Sequence, residues 1–339
     1  MVIDYHSHFV PPDCLDFEVV TAGGSVHGWA MDTKTGEMRV EGRMRKLGAV
    51  GDQPWGAAGD NPLWSLERRL ADMDRTGVDV QALSVPPYMS LHEVSADDGW
   101  KMSRRANAGM SAAIAGHQRF VGFATVPLQD PPIAARELEY AVEKLGLGGV
   151  QILSQVNGRG LDDPRLAIFW KTVSELDVPV FVHPANSLDP LTKRYYLVNL
   201  IGNPTETAQA TAHLIFGGVV DRFPKIRFVL AHAGGTVPWL LGRWRHGVDV
   251  IPELGILNGP LSDYLRSFWF DTVVHDPASI EFMARSLELQ LVLGTDYPFD
   301  MGDLDPVATL AGVTGLDEAA RAAIAGANLF RPGTELPAP

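Results

Sequence analysis

The sequence predicts a single (β/α)8 barrel, and three observations carry that reading. Short apolar, β-branched runs alternate with helix-like stretches along most of the chain. The strand candidates are of the buried type, which suits a parallel sheet covered by helices. About eight such units occur in 339 residues, the number and length that close such a barrel. The competing architecture is an open doubly wound sheet, but no Gly-x-Gly-x-x-Gly follows the first strand to mark a dinucleotide site.

In chain order, the strand runs are Val2–Tyr5, Val78–Val85, Phe120–Val126, Gly149–Leu153, Pro179–Val182, Arg227–Ala231, Phe268–Asp271 and Leu291–Gly294. The helical patterns between them are Leu66–Thr76, Asp98–His117, Pro132–Leu145, Pro164–Leu176, Thr205–Arg222, Pro238–Arg245, Pro277–Ser286 and Asp305–Ala325. Pro132, Pro164, Pro238 and Pro277 fall in first helical turns, where the missing N–H is harmless. One connection is too long for a barrel loop. Residues of about 11–64 are Gly-rich, with a small hairpin expected from Trp29–Asp32 and Glu37–Val40 around Thr33-Lys34-Thr35-Gly36. Since this stretch leaves the C-terminal end of the first strand, it is expected to be an insertion over the barrel mouth of one domain spanning residues 1–339.

Composition narrows the function. A net charge of -13 argues against non-specific nucleic-acid binding and against an anionic membrane surface. No apolar stretch reaches the length of a membrane span, and no basic segment followed by an apolar one marks a cleaved leader. The single cysteine, Cys14, excludes an intrachain disulfide and fits a cytoplasmic location.

The ends of the strands carry the chemistry. The first runs into His6-Ser7-His8, whose imidazoles share one face because residues i and i+2 of a strand do. The fifth ends in His183, the sixth in His232 and the eighth in Thr295-Asp296. In this barrel the C-terminal strand ends build the site, so four histidines and an aspartate would converge at one mouth. Such an N/O donor set suits a divalent ion. The fourth strand offers Gln151, not a lysine that could be carboxylated to bridge two ions, so one metal is expected. His92 and His275 follow strands two and seven and are further candidates to line the pocket. Trp64, Tyr88, Tyr195, Tyr196 and Trp239 are aromatics that could stack on a planar acid.

The set His6, His8, His183, His232 and Asp296 resembles the amidohydrolase superfamily. Val182-His183-Pro184, Ala231-His232-Ala233-Gly234-Gly235, Leu241-Gly242-Arg243 and Gly294-Thr295-Asp296-Tyr297-Pro298-Phe299 resemble its metal-dependent decarboxylase branch. The resemblance implies that His6, His8, His183 and Asp296 bind one zinc, with manganese as the alternative ion. It implies that His232 is the catalytic acid/base and that Arg243 holds a substrate carboxylate in a neighbouring subunit, hence a homodimer. The resemblance also implies a second substrate arginine in the insertion, where Arg39, Arg43 and Arg45 compete and Arg45 is the expected one. The expected activity is non-oxidative decarboxylation of a small unsaturated or aromatic carboxylic acid. The alternative is hydrolysis of a lactone, amide or ester by metal-activated water, with Asp296 as base.

Overall fold

In the computed structural model, eight parallel strands follow one another around a barrel in chain order. The structure describes residues 1–20, 26–32, 37–40, 43–46, 61–185, 189–254, 257–327 and 329. The barrel strands are β1 (Ile3–His8), β6 (Val80–Ser84), β7 (Phe120–Thr125), β8 (Gly149–Leu153), β9 (Val180–His183), β10 (Phe228–Leu230), β11 (Phe268–Asp271) and β12 (Leu291–Val292). Between β1 and β6 lie β2 (Asp16–Val20), β3 (Val26–Asp32), β4 (Glu37–Val40) and β5 (Arg43–Lys46), which form a separate antiparallel sheet. Backbone bonds from the segment around β12 close the barrel onto β1. Tyr5 N–H donates to Leu293 O at 2.9 Å, Asp296 N–H to His6 O at 2.8 Å and His8 N–H to Tyr297 O at 2.7 Å.

Helix ends follow from the caps written into the sequence. Ser65 accepts from Arg68 N–H to start Leu66–Thr76, and Gly77 ends that helix in the left-handed conformation. Asp130 starts Pro131–Glu143 and Asp276 starts Pro277–Ser286, each with proline in the first turn. Two expected helices are broken. Thr205–Arg222 is divided into Asn203–Phe216 and Val219–Arg222 at Gly217-Gly218, where Gly218 has φ 71°. Asp305–Ala325 is divided into Pro306–Ala311 and Glu318–Ala322, because Gly312 closes the first and Asp317 caps the second. Among the described residues no helix is long and apolar enough to cross a membrane.

Inside the barrel, Ile3, Tyr5, Phe123, Phe181, Val229 and Val292 belong to one buried cluster. A second, larger cluster contains Val150, Val182 and Leu230 from the strands with Leu138, Trp170 and Leu214 from the helices. The expected hairpin is present, with Trp29 opposite Val40 and Asp32 opposite Glu37, and it gains β2 and β5 on either side. Trp29 is buried; its Nε1–H donates to Cys14 O at 2.8 Å, and its ring meets that of Tyr88, in the connection leaving β6, at 6.0 Å.

Candidate metal centre

A β-bulge in β1 makes the centre possible. Ile3 pairs with Val80 but His8 pairs with Ser84, so β1 spends one residue more than β6 over the same length. Strict alternation would place either Ile3 and Tyr5 or His6 and His8 inside the barrel. The extra residue between Asp4 and Ser7 lets Ile3 and Tyr5 fill the floor while His6 and His8 face the mouth. His183 ends β9, and His232 follows β10 in a left-handed turn with φ 54°. Asp296 follows β12, also left-handed at φ 57°. Such conformations in non-glycine residues cost energy and gather at functional sites.

All five residues meet. His6 Nε2 lies 3.2 Å from His8 Nε2, and each of these nitrogens lies 3.2 Å from Asp296 Oδ1. His232 Nε2 is 3.4 Å from Asp296 Oδ2. His6, His183, His232 and Asp296 each offer a ligand atom within 4.8 Å of the others. The His183 ring centroid is 5.2 Å from that of His8.

Hydrogen bonds at the far side of each ring decide which nitrogen faces inward. His6 Nδ1 is 2.6 Å from the Asp271 carboxylate, His183 Nδ1 is 2.9 Å from Pro184 O, and His8 Nδ1 is 3.3 Å from Val85 O. The Asp271 and backbone oxygens only accept, and the Ser84 hydroxyl, 3.2 Å from His8 Nδ1, donates to Ser7 O, so each Nδ1 carries a hydrogen and each Nε2 is the atom turned to the centre. Asp296 Oδ1 is buried beside the Nε2 atoms of His6 and His8 and has no hydrogen-bond partner among the described residues. Crowded lone pairs around an unsatisfied carboxylate oxygen repel unless a cation lies between them, and a divalent ion fits that donor set. His232 differs, because its Nδ1 is buried without a partner among the described residues.

The charges agree with this geometry. Burial disfavours a charged His6, but Asp296 and Asp271 outweigh it and raise His6 to about 10. Burial pushes His8 down to about 4 and His183 well below the ordinary imidazole value. Asp296 is also penalised by burial, yet the surrounding histidines hold it well below the usual carboxylate range. At neutral pH His6 therefore carries a second hydrogen, on Nε2 toward Asp296, which must leave before that nitrogen can bind a metal.

Several supporting residues escaped the sequence reading. Asp271 ends β11 after Phe268-Trp269-Phe270, the same strand-end position as the histidines, and that was the available signal. Asp4 accepts from Gln81 at 3.1 Å and Thr295 at 2.7 Å, and the fully buried Arg69 reaches Gln81 at 3.0 Å and the carbonyl of His8. Glu206 holds the corner after His183 by accepting from Ser154 at 2.9 Å and Ala185 N–H at 2.7 Å.

The other candidates are scattered. Gln151 faces the barrel interior beside Phe181; its amide donates to Val85 O at 2.8 Å and its side-chain carbonyl has no partner among the described residues. Arg243 is exposed on the helix Val237–Val250 without an ion-pair partner among the described residues. Arg45 pairs with Met38 across β4 and β5, and its side chain lies outside the described residues. His92 is buried and His275 exposed. Tyr196 is half-exposed and hydrogen-bonds to Asp300, while Trp239 stacks on Phe282 at 4.4 Å.

Comparison with known proteins places this centre in a family. The model of the amidohydrolase family (Amidohydro_2) matches residues 3–328. The chain belongs to the amidohydrolase family. This amidohydrolase is 30% identical to the 2-amino-3-carboxymuconate-6-semialdehyde decarboxylase of Dictyostelium discoideum, over 96% of this chain and 89% of that protein. Its fold matches the 5-carboxyvanillate decarboxylase of Sphingomonas paucimobilis with a TM-score of 0.76, at 24% identity, covering 96% of this chain and 97% of that one. It also matches a dihydroxybenzoic acid decarboxylase from a Polaromonas species, crystallised with manganese and the inhibitor 2-nitroresorcinol, with a TM-score of 0.75 at 23% identity, covering 96% and 94% of the two chains.

Proposed function

We propose that the protein removes a carboxyl group, without an oxidant, from a small aromatic or unsaturated carboxylic acid, assisted by one divalent metal. The observation that carries the assignment of roles is the contrast among the histidines. His6, His8 and His183 are locked at Nδ1 and offer Nε2, as ligands do, together with Asp296. His232 Nδ1 has no hydrogen-bond partner among the described residues, so no neighbour fixes its tautomer, which sets it apart from the ligand candidates as the proposed acid/base. Zinc is the proposed ion, with manganese the alternative, since three imidazoles and a carboxylate accept both.

Breaking the bond to carbon dioxide leaves an electron pair on carbon, and a proton must capture it. His232 delivers that proton, and Asp296 Oδ2, 3.4 Å from His232 Nε2, orients the ring. Asp296 stays ionised at neutral pH and stabilises the imidazolium before transfer. When bound, the metal supplies positive charge that draws and polarises the oxygens of an anionic substrate.

Arg243, exposed and without an ion-pair partner among the described residues, is the proposed carboxylate clamp for a second copy in a homodimer. Exposed Trp239 on the same helix, with exposed Leu191, Tyr195, Leu200 and Ile201, supports association with a second copy. Arg45 is the proposed second clamp, on an insertion that walls the mouth; the contact of Trp29 with Tyr88 supports that placement. A cytoplasmic location accords with a single, buried cysteine. The test is incubation of metal-loaded protein with dihydroxybenzoates, carboxyvanillate and aminocarboxymuconate-type acids beside simple lactones. Release of carbon dioxide is expected. Lactone opening without carbon dioxide from any acid would overturn the reading in favour of a hydrolase.

A further inference from the structure

One carboxylate touches both halves of the centre. Asp271 is fully buried at the end of β11. Its Oδ2 accepts from His6 Nδ1–H at 2.6 Å and from the backbone N–H of His232 at 3.0 Å. Its Oδ1 accepts from the backbone N–H of Ala233 at 2.7 Å and of Val273 at 3.0 Å. Four donors therefore converge on two oxygens, and a carboxylate is the side-chain group that accepts all of them.

Each bond fixes something the chemistry needs. The bond to His6 keeps the hydrogen on Nδ1 and turns the Nε2 lone pair to the centre. The bonds to His232 and Ala233 hold consecutive residues with φ 54° and 58°, a turn that L-residues rarely adopt unaided. That turn sets where the His232 imidazole stands. The two tasks share an oxygen, so displacing one disturbs the other.

We propose that Asp271 is a positioning residue that sets the His6 tautomer and the His232 turn together, tying the metal ligand to the acid/base through a single side chain. The proposal rests on the metal reading given above. It goes beyond that reading by naming a group that holds no metal and touches no substrate.

The discriminating variant is Asp271→Asn, because it keeps the shape while removing the charge and replacing one accepting oxygen by a donor. An amide has one accepting oxygen and an NH2 that donates. If the NH2 takes the Oδ2 position, it opposes His6 Nδ1–H and His232 N–H and favours the wrong tautomer of His6. If it takes the Oδ1 position, Ala233 and Val273 N–H lose their acceptor. Either orientation leaves two buried donors facing a donor.

The experiment measures metal affinity by chelator competition on the parent protein and on Asp271→Asn, with the cobalt(II) absorption spectrum of each as a report on ligand geometry. Affinity weaker by roughly 10–100-fold, with an altered spectrum, is expected. Parent-like affinity and spectrum in the variant would overturn the proposal and leave the metal reading standing. A parent protein that binds no divalent ion would overturn both. Should Asp271→Asn fail to fold, nitrogen-15 NMR of the histidines in the zinc-loaded parent decides. A hydrogen on His6 Nδ1, strongly downfield from its bond to a carboxylate, supports the proposal; a hydrogen on Nε2 refutes it.

Discussion

Gly294 packs between His6 and Asp271, and adding one carbon there is expected to pry them apart. A Cβ at this position would lie 2.8 Å from Asp271 Cβ and 3.0 Å from His6 Cβ. Comfortable carbon–carbon contact is about 3.5–4.0 Å, so each neighbour must retreat by roughly 0.5–1 Å. Both are Cβ atoms of fully buried residues, with no flexible end to swing aside. A retreat of that size stretches the 2.6 Å bond between His6 and Asp271 past about 3.2 Å, the far limit of a good N–H···O bond. Overpacking of this kind costs about 1–3 kcal/mol. With an unfolding entropy of about 2.1 cal/mol/K per residue, 339 residues give about 0.7 kcal/mol/K, so Tm of Gly294→Ala should fall by about 1.5–4 °C. A metal bound 10–100-fold more weakly also stabilises by about 1.4–2.7 kcal/mol less. Thermal unfolding of the parent and Gly294→Ala, each with and without saturating zinc, reads both effects. Parent-like midpoints in both forms would refute the reasoning.

Further outcomes follow from the same geometry. His232→Ala should keep its metal yet lose about 10²–10⁴-fold in turnover, checked by metal analysis beside a carbon dioxide assay; loss of the ion would make His232 a ligand instead. Metal uptake at pH 7–8 should release close to one proton, because His6 is held at about 10 while His8 is already neutral at about 4, and calorimetry in buffers of different ionisation enthalpy counts it. Burial lowers His92 to about 4. Since its unfolded value is about 6.5, the unfolded state takes up the proton first as pH falls, and stability drops between about pH 6.5 and 4, by about 2 kcal/mol at pH 5. His92→Gln should remove that component of the pH profile of Tm; an unchanged profile would contradict it.

Much of the centre was legible because the ligand candidates sit at the ends of apolar runs, His6 and His8 sharing the first. His183 after Pro179–Val182 and His232 after Arg227–Ala231 announce a strand end by the change in chemistry. The hairpin of the insertion was legible too, through Thr33-Lys34-Thr35-Gly36 between two short runs. The bulge in β1 was not. Alternation alone predicts one inward face, and only pairing with β6 reveals that Tyr5 and His6 both serve the interior. Asp271 was passed over because an aspartate closing a strand reads equally well as a turn residue. Arg69 lies on a helix rich in charge, and nothing local distinguishes its buried guanidinium from the solvated Arg68 beside it. The break in Asp305–Ala325 turned on Gly312 and the cap at Asp317, signals that the alanines scattered on both sides of them obscured.

The central claim is that His6, His8, His183 and Asp296 hold one metal while His232 moves a proton during decarboxylation. Its most direct test is metal analysis of the gently purified protein together with carbon dioxide release from a panel of aromatic and muconate-type acids, before and after chelation. The account calls for close to one zinc or manganese per chain, and for carbon dioxide release that disappears on chelation and returns with the ion. Release that survives complete removal of the metal, or a metal-loaded protein that decarboxylates none of these acids while opening lactones, would contradict it.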